Sequence, residues 1–264
     1  MYWLNYYCKM IELLKVTKRF EQRTVLHHLS ARFEPGTVSM IIGSSGSGKS
    51  VLMKILVGLF SPDEGKVFYG TNDFFNLDLE GKTEIRKQIG MLFQNSALFD
   101  SLNVEQNVLF PLQMFSKRAS RLHMERVNHC LERVGLAGTN KLHTSQLSGG
   151  MRKRVGIARA IALEPKYLFC DEPNSGLDPL TSIKIDELIR EITLESGITT
   201  IVNSHDMNSV MEIGDHICFL YQGKMLWTGS KGLIMDTDCQ ELNDFVFATA
   251  FLKQIRKQSN GHHA

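Results

Sequence analysis

Eight residues constrain this chain more than any others. Gly43-Ser44-Ser45-Gly46-Ser47-Gly48-Lys49-Ser50 follows the short apolar run Val38-Ser39-Met40-Ile41-Ile42. It precedes Val51, Leu52, Ile55 and Leu56, which share one helical face. The spacing G-x-x-x-x-G-K-[ST] between a strand and a helix is a backbone device for holding phosphate. Its glycines let the chain wrap an anion with N–H groups pointing inward. The helix that follows adds the positive end of its dipole. On this reading Lys49 reaches the β- and γ-phosphates, and the Ser50 hydroxyl ligates Mg2+. The ordinary alternative is a Gly/Ser-rich loop without a ligand, and the strand–loop–helix setting argues against it.

Around this loop the chain reads as a mixed α/β protein. At 264 residues it is long enough for one or two domains with a full hydrophobic core. Lys and Arg number 30 against 28 Asp and Glu, which excludes binding to nucleic acid through a strong overall basic field. The five cysteines (Cys8, Cys130, Cys170, Cys218, Cys239) show no C-x-x-C spacing, so neither a disulfide framework nor a zinc site is expected. No stretch approaches the roughly 18 apolar residues of a membrane helix. Met10 looks like a cleaner start than Met1, so residues 1–9 are expected to be an N-terminal extension.

Buried strands are expected at residues 38–42, 167–170, 199–202 and 217–220. Each is a short, nearly continuous apolar run, as a parallel sheet covered on both faces requires. The early runs at 11–33, 66–69 and 89–93 alternate and are expected to form a small antiparallel layer. Residues 104–163 read as mostly helical. Met124, Val127, Leu131 and Val134 share one face, as do Ile185, Leu188, Ile189 and Ile192. A last amphipathic helix is expected over 243–258.

Further side chains point to chemistry. Asp171 and Glu172 end a predicted strand, where open α/β sheets place their ligands. Asp171 would hold Mg2+, and Glu172 would polarise the attacking water as a general base. Ser148, in Leu147-Ser148-Gly149-Gly150-Met151, would cap a helix from Arg152 to Ala162 and make a second anion-binding N-terminus. One chain has only one phosphate loop, so a head-to-tail dimer would close each second cradle on its partner's γ-phosphate. The bland reading makes Ser148 a plain cap and Arg152, Lys153 and Arg154 a solvated face. His205 follows an apolar strand and would polarise or position near the γ-phosphate. Gln94 ends another run and would reach Mg2+ or water. Phe20 would stack on an adenine ring.

These motifs, in this order, resemble the nucleotide-binding subunit of an ABC transporter, over nearly the whole stretch 11–229. Residues 43–50 are similar to the phosphate loop, Ser148, Gly149, Gly150 and Met151 to the signature, and Asp171-Glu172 to the Walker B end. Ser175-Gly176-Leu177-Asp178 resembles the D-loop, Gln94 the Q-loop, His205 the switch histidine and Phe20 the aromatic A-loop. The resemblance implies a P-loop NTPase with a RecA-like α/β core, an antiparallel β subdomain, an α-helical signature subdomain at about 97–164 and a C-terminal helical tail. It implies one nucleotide-binding domain over 10–232 and a tail over 233–264. The nucleotide contacts would then be Phe20, Gly43, Ser44, Ser45, Gly46, Ser47, Gly48, Lys49, Ser50, Val51 and Gln94. Mg2+ would be held by Ser50, Gln94 and Asp171, with Glu172, His205 and Lys49 catalytic. Two copies would sandwich two ATP molecules and drive a separate membrane-embedded permease.

A narrower resemblance is to the ATPase of Mla-type (maintenance of lipid asymmetry) phospholipid transporters. It rests on Gly90-Met91-Leu92-Phe93-Gln94, Ala97-Leu98-Phe99-Asp100, Asn107-Val108, Pro111-Leu112, Met151 in the signature, and Leu163-Glu164-Pro165. It implies phospholipid transport between inner and outer membranes, a position on the cytoplasmic face of the inner membrane, an MCE-domain partner and a STAS-domain partner. The competing expectations are a transporter subunit for another solute, such as an amino acid or lipoprotein, and a soluble ABC ATPase acting on ribosomes or DNA. Asn174, where many family members carry Thr or Phe, and Met151 depart from the common pattern and bear on regulation.

Overall fold

Strands with nearly continuous apolar runs need cover on both faces, and that need organises the molecule. The computed structural model describes residues 9–117, 119–234 and 236–247. The chain order begins β1 (Ile11–Phe20), β2 (Arg23–Phe33), β3 (Val38–Ile42), α1 (Lys49–Leu56), β4 (Glu64–Tyr69), β5 (Asn72–Asp73), α2 (Leu79–Lys87) and β6 (Ile89–Leu92). It continues α3 (Val104–Phe115), α4 (Ser120–Arg133), α5 (Gly149–Ala160), β7 (Tyr167–Asp171), α6 (Pro179–Ser196), β8 (Thr199–Asn203), α7 (Met207–Ile213), β9 (His216–Tyr221), β10 (Lys224–Gly229) and α8 (Gln240–Val246).

Among the described residues the strands make two sheets. The central one runs β10-β9-β3-β8-β7-β6, parallel except for β10, and the other is antiparallel in the order β2-β1-β4-β5. The two-residue side-chain period divides each central strand between two cores. Met40, Leu168, Val202 and Phe219 face one core, which α3, α4, α5 and α6 complete. Ile41, Phe169, Ile201 and Leu220 face the other, closed by α1 and the antiparallel sheet. Burying a side chain such as Phe169 contributes roughly 2–3 kcal/mol, so these runs dictate the layering. Cys130, Cys170 and Cys218 are free thiols packed inside, and burial pushes the Cys130 thiol up to about 11 and that of Cys218 up to about 12.

The helix ends follow from local chemistry. Asp178 caps α6 with Pro179 in its first turn, and Gly197 ends it at φ 54°. Asn103 and Gln106 form a reciprocal capping box at the start of α3. Two expectations need correction. Residues 89–93 do not join the antiparallel layer: Ile89–Leu92 pairs in parallel with β7 at the sheet's edge. Gly90 and Leu92 are buried while Ile89 and Met91 are half-buried, and such one-sided cover produces the same alternation as an antiparallel strand. The expected helix over 243–258 begins at Gln240, with Leu242, Val246 and Phe247 in the first core. Its stretch beyond 247, and residues 1–8, lie outside the described residues. Among the described residues no helix is long and apolar enough to cross a membrane.

Candidate nucleotide-binding and hydrolysis site

Strand order fixes where the loop over residues 43–50 must lie. β3 has β8 on one side and β9 on the other, so the loop leaves the sheet at its carboxyl edge beside the ends of β7 and β8. Two glycines are obligatory there. A Cβ on Gly43 would sit 2.1 Å from the Leu220 carbonyl oxygen, and one on Gly48, at φ 107°, would sit 2.6 Å from Leu26 Cδ2. Gly48 gives α1 no side-chain cap, and the first turn of α1 holds no acidic residue, so its N–H groups are free for an anion. The Ser47 hydroxyl is buried without a partner. Lys49 is buried and donates to the carbonyls of Gly43 (2.7 Å) and Ser44 (3.1 Å). Burial pulls its pKa below the ordinary lysine range, and the carboxylates of Glu172 and Asp171 oppose that pull. An orphan hydroxyl, a cation on its own loop and an uncapped helix start form an all-donor cradle, which fits phosphate.

The carboxylates stand across from it. Asp171 ends β7 in register with Asn203 of β8, whose Nδ2 donates to Asp171 Oδ1 at 2.6 Å. The chain then turns sharply: Glu172 takes φ 48°, and its N–H donates to the Asn203 carbonyl at 2.9 Å. The Glu172 side chain is 14% exposed, and its Oε2 lies 2.8 Å from Nδ1 of His205, which is 67% exposed. The structure thus brings Lys49, Asp171, Glu172 and His205 into one site. Gln94 is exposed and its Nε2 donates to Ser175 Oγ at 3.4 Å, tying it to the turn after Glu172. Ser50 is exposed on the first turn of α1 and Val51 is half-buried behind it. The hydroxyl, amide and carboxylate oxygens of Ser50, Gln94 and Asp171 are the hard donor set that suits Mg2+.

The remaining expected residues sit apart. Ser148 caps α5 through Met151 N–H at 3.2 Å, with Gly149 and Gly150 in its first turn. Among the described residues no hydrogen bond or ion pair joins Ser148, Gly149, Gly150 or Met151 to residues 43–50. Asp178 accepts from Thr181 N–H (3.0 Å) and Thr181 Oγ1 (2.5 Å), and these bonds hold its carboxyl below the usual range. Phe20 is 41% exposed at the end of β1, edge-on to Phe60 at 5.5 Å with the Lys18 ammonium over its ring at 5.4 Å. The strand paired with it, β2, supplies the Leu26 side chain that closes on Gly48.

Two residues escaped the sequence reading. Asn203 was visible only as a polar end to an apolar strand. Lys153 entered only in the bland alternative, which makes Arg152, Lys153 and Arg154 a solvated face, and the structure departs from that alternative at Lys153. Arg152 is exposed and Arg154 half-buried, but Lys153 is 4% exposed and donates to the carbonyls of Gln94 and Glu172. The signal was helical spacing: Lys153 shares a face with Gly149, Gly150, Gly156, Ile157 and Ala160.

Comparison with known proteins agrees with this geometry. The family model described as ABC transporter matches residues 26–175. The chain is 34% identical, over 89% of its length and 68% of the relative's, to a probable ribonucleotide transport ATP-binding protein mkl of Mycobacterium leprae. It is 38% identical to a methionine import ATP-binding protein MetN of Xanthomonas oryzae pv. oryzae, over 83% of this chain and 67% of that one. It therefore spans about two thirds of these relatives' length. Among solved structures, cbiO1 of Clostridium perfringens superposes with a TM-score of 0.81 at 27% identity, covering 97% of this chain and 99% of that one. The dimeric cassette MJ0796 bound to ADP and Pi gives 0.76 at 32% identity, covering 83% and 98%. The chain belongs to the ABC transporter family and is the ATP-binding subunit of such a transporter, an ATPase that works on ATP with Mg2+.

Proposed function

We propose that this subunit powers the movement of phospholipid between inner and outer membranes, as the ATPase of an Mla-type system. The observation that carries this reading is the segment around Gln94 together with the surface it makes. Met91, Phe93, Ala97, Phe99, Phe110 and Pro111 line an apolar groove of about 400 Å³ beside Gln94. Phe93, Phe99 and Phe110 are each more than a third exposed in it. Such a groove accepts an amphipathic helix, and an integral permease of the inner membrane, with this subunit on its cytoplasmic face, would supply it. An MCE-domain protein and a STAS-domain protein complete the proposed assembly. The domain reading is one nucleotide-binding unit over 10–232 with a tail over 233–264.

The chemistry assigned to the residues follows the physics of phosphoryl transfer, which needs positioning and charge stabilisation more than covalent help. Lys49 and the backbone over 43–50 grip the phosphates, and Phe20 stacks on the base. Ser50, Gln94 and Asp171 would hold Mg2+, which when bound neutralises charge on the phosphates. Glu172 takes the proton of the attacking water, and His205 fixes the orientation of that carboxylate. Ser148, Gly149, Gly150 and Met151 complete the site of a second copy, with Asp178 at the start of α6 close by, between Leu177 and Thr181, whose side chains lie against Gly149 and Gly150. The dimeric MJ0796 structures support that sandwich. A second reading, import of methionine or transport of a ribonucleotide, is favoured by the names of the relatives.

Purification of tagged Glu172→Gln from native membranes with ATP and magnesium, followed by mass spectrometry of proteins and lipids, separates these. A permease, an MCE-domain protein and bound phospholipid support the lipid reading. A permease with neither moves the substrate to a soluble solute, and soluble partners alone overturn the transport reading.

A further inference from the structure

The signature helix does more than present Ser148. Its buried Lys153 donates from one ammonium to two backbone carbonyls of separate elements, Gln94 at the end of the β6 segment and Glu172 after β7. Six residues on, Arg159 reaches the same segment, donating to the carbonyls of Ser96 (2.6 Å) and Ala97 (2.8 Å). Ser96 and Ala97 stand at φ 60° and 45°, and Glu172 at φ 48°. None is glycine, so each holds a backbone conformation that L side chains rarely adopt. The cations of α5 thus hold Ser96, Ala97 and Glu172 in that conformation. We propose that Lys153 is a positioning residue for hydrolysis: it fixes the backbone of Gln94 and Glu172 to the signature helix, so that α5 and the Glu172 carboxylate move as one piece.

The physical argument is one of alternatives. Taking a lysine out of water is costly unless its N–H groups are bonded, and a surface lysine would serve equally well to solubilise α5. Without the ammonium, the Gln94 carbonyl loses the side-chain donor it has here, and Glu172 keeps its N–H bond to Asn203, the Ser175 N–H on its carbonyl at 3.2 Å and its side-chain contact with His205. The side chain of Lys153 is far too engaged to touch nucleotide; it acts through Glu172. This inference rests on the assignment of Glu172 as general base.

The test compares Lys153→Met, similar in length but without donors, with Lys153→Arg, which keeps the charge and a fork of N–H groups, and with Glu172→Gln. Each is measured in the full-length protein for ATP affinity by a fluorescent nucleotide, for kcat and KM, and for ATP-dependent dimer formation. The expected result for Lys153→Met is an ATP affinity within about threefold of the parent and a dimer that still forms. Its kcat falls at least tenfold with KM unchanged. Lys153→Arg should recover at least half of the parent rate. Should Lys153→Met fail to fold, Lys153→Leu, which also lacks donors, is read in its place against the same expectation. Parental kcat in Lys153→Met, equal loss of affinity and kcat, or an arginine variant as impaired as methionine overturns the proposal. Normal turnover by Glu172→Gln would instead remove the general-base reading and leave the contacts of Lys153 as structural facts.

Discussion

Asp186 offers a test of the packing that needs no nucleotide. It lies on α6, 3% exposed, beside the buried pair in which Asn174 Nδ2 donates to Ser209 Oγ at 2.8 Å. Burial pushes its carboxyl up to about 6, against the pull of Ser209 and Asn174, and one of its oxygens has no partner. In the unfolded chain an aspartate titrates near 3.9. Between those two values the folded protein holds the proton more tightly than the unfolded one. Stability from this group is therefore present below about pH 4 and is lost as pH rises through 6. A gap of about two pH units at about 1.4 kcal/mol each costs the folded state about 3 kcal/mol at pH 8. Asp186→Asn removes the titration and keeps the shape. Urea unfolding should find the variant more stable by up to about 3 kcal/mol at pH 8, and by about 0.5 kcal/mol at pH 4. For a domain of this size the pH 8 figure corresponds to roughly 6–12 °C in Tm. A gain of the same size at both pH values, or a loss at pH 8, would refute the reasoning, because either result places the carboxylate somewhere polar enough to ionise freely.

Three further outcomes follow from the site. Phe20→Ala should weaken ATP binding by the roughly 1–3 kcal/mol of an aromatic stack on a base, read by equilibrium titration; an unchanged affinity removes Phe20 from the site. Lys49→Ala should lose turnover, and ATP affinity by about 10- to 100-fold, the worth of a hydrogen bond to a charged group at roughly 1.5–3 kcal/mol. Ser148→Arg should bind ATP normally yet stop hydrolysis; mixing it with Lys49→Ala should restore turnover at one composite site per dimer, and no restoration contradicts the sandwich.

The sequence displayed some of this plainly and hid the rest for physical reasons. Residues 38–42 and 199–202 were legible as buried strands because both faces of the central sheet are covered, which leaves no solvent-facing position and few polar residues. Residues 43–50 were legible because backbone geometry there admits few residue types. Ile89–Leu92 was misplaced because an edge strand with one covered flank alternates like an antiparallel one. Lys153 did not stand out because its charge outweighed its helical phase: a cation beside two arginines suggests solvent, while its neighbours at three and four residues are small or apolar. Asn174 was noticed only as a departure from a family pattern. Its partner Ser209 lies 35 residues on, and no local pattern carries that contact.

The most direct measurement places the subunit, with the permease that co-purifies with it, in vesicles holding labelled phospholipid, and follows transfer of the label to acceptor membranes on adding ATP and magnesium. The account predicts ATP-dependent phospholipid movement that Glu172→Gln abolishes. ATP hydrolysis coupled instead to uptake of methionine or a ribonucleotide, with the labelled lipid left in place, would contradict it.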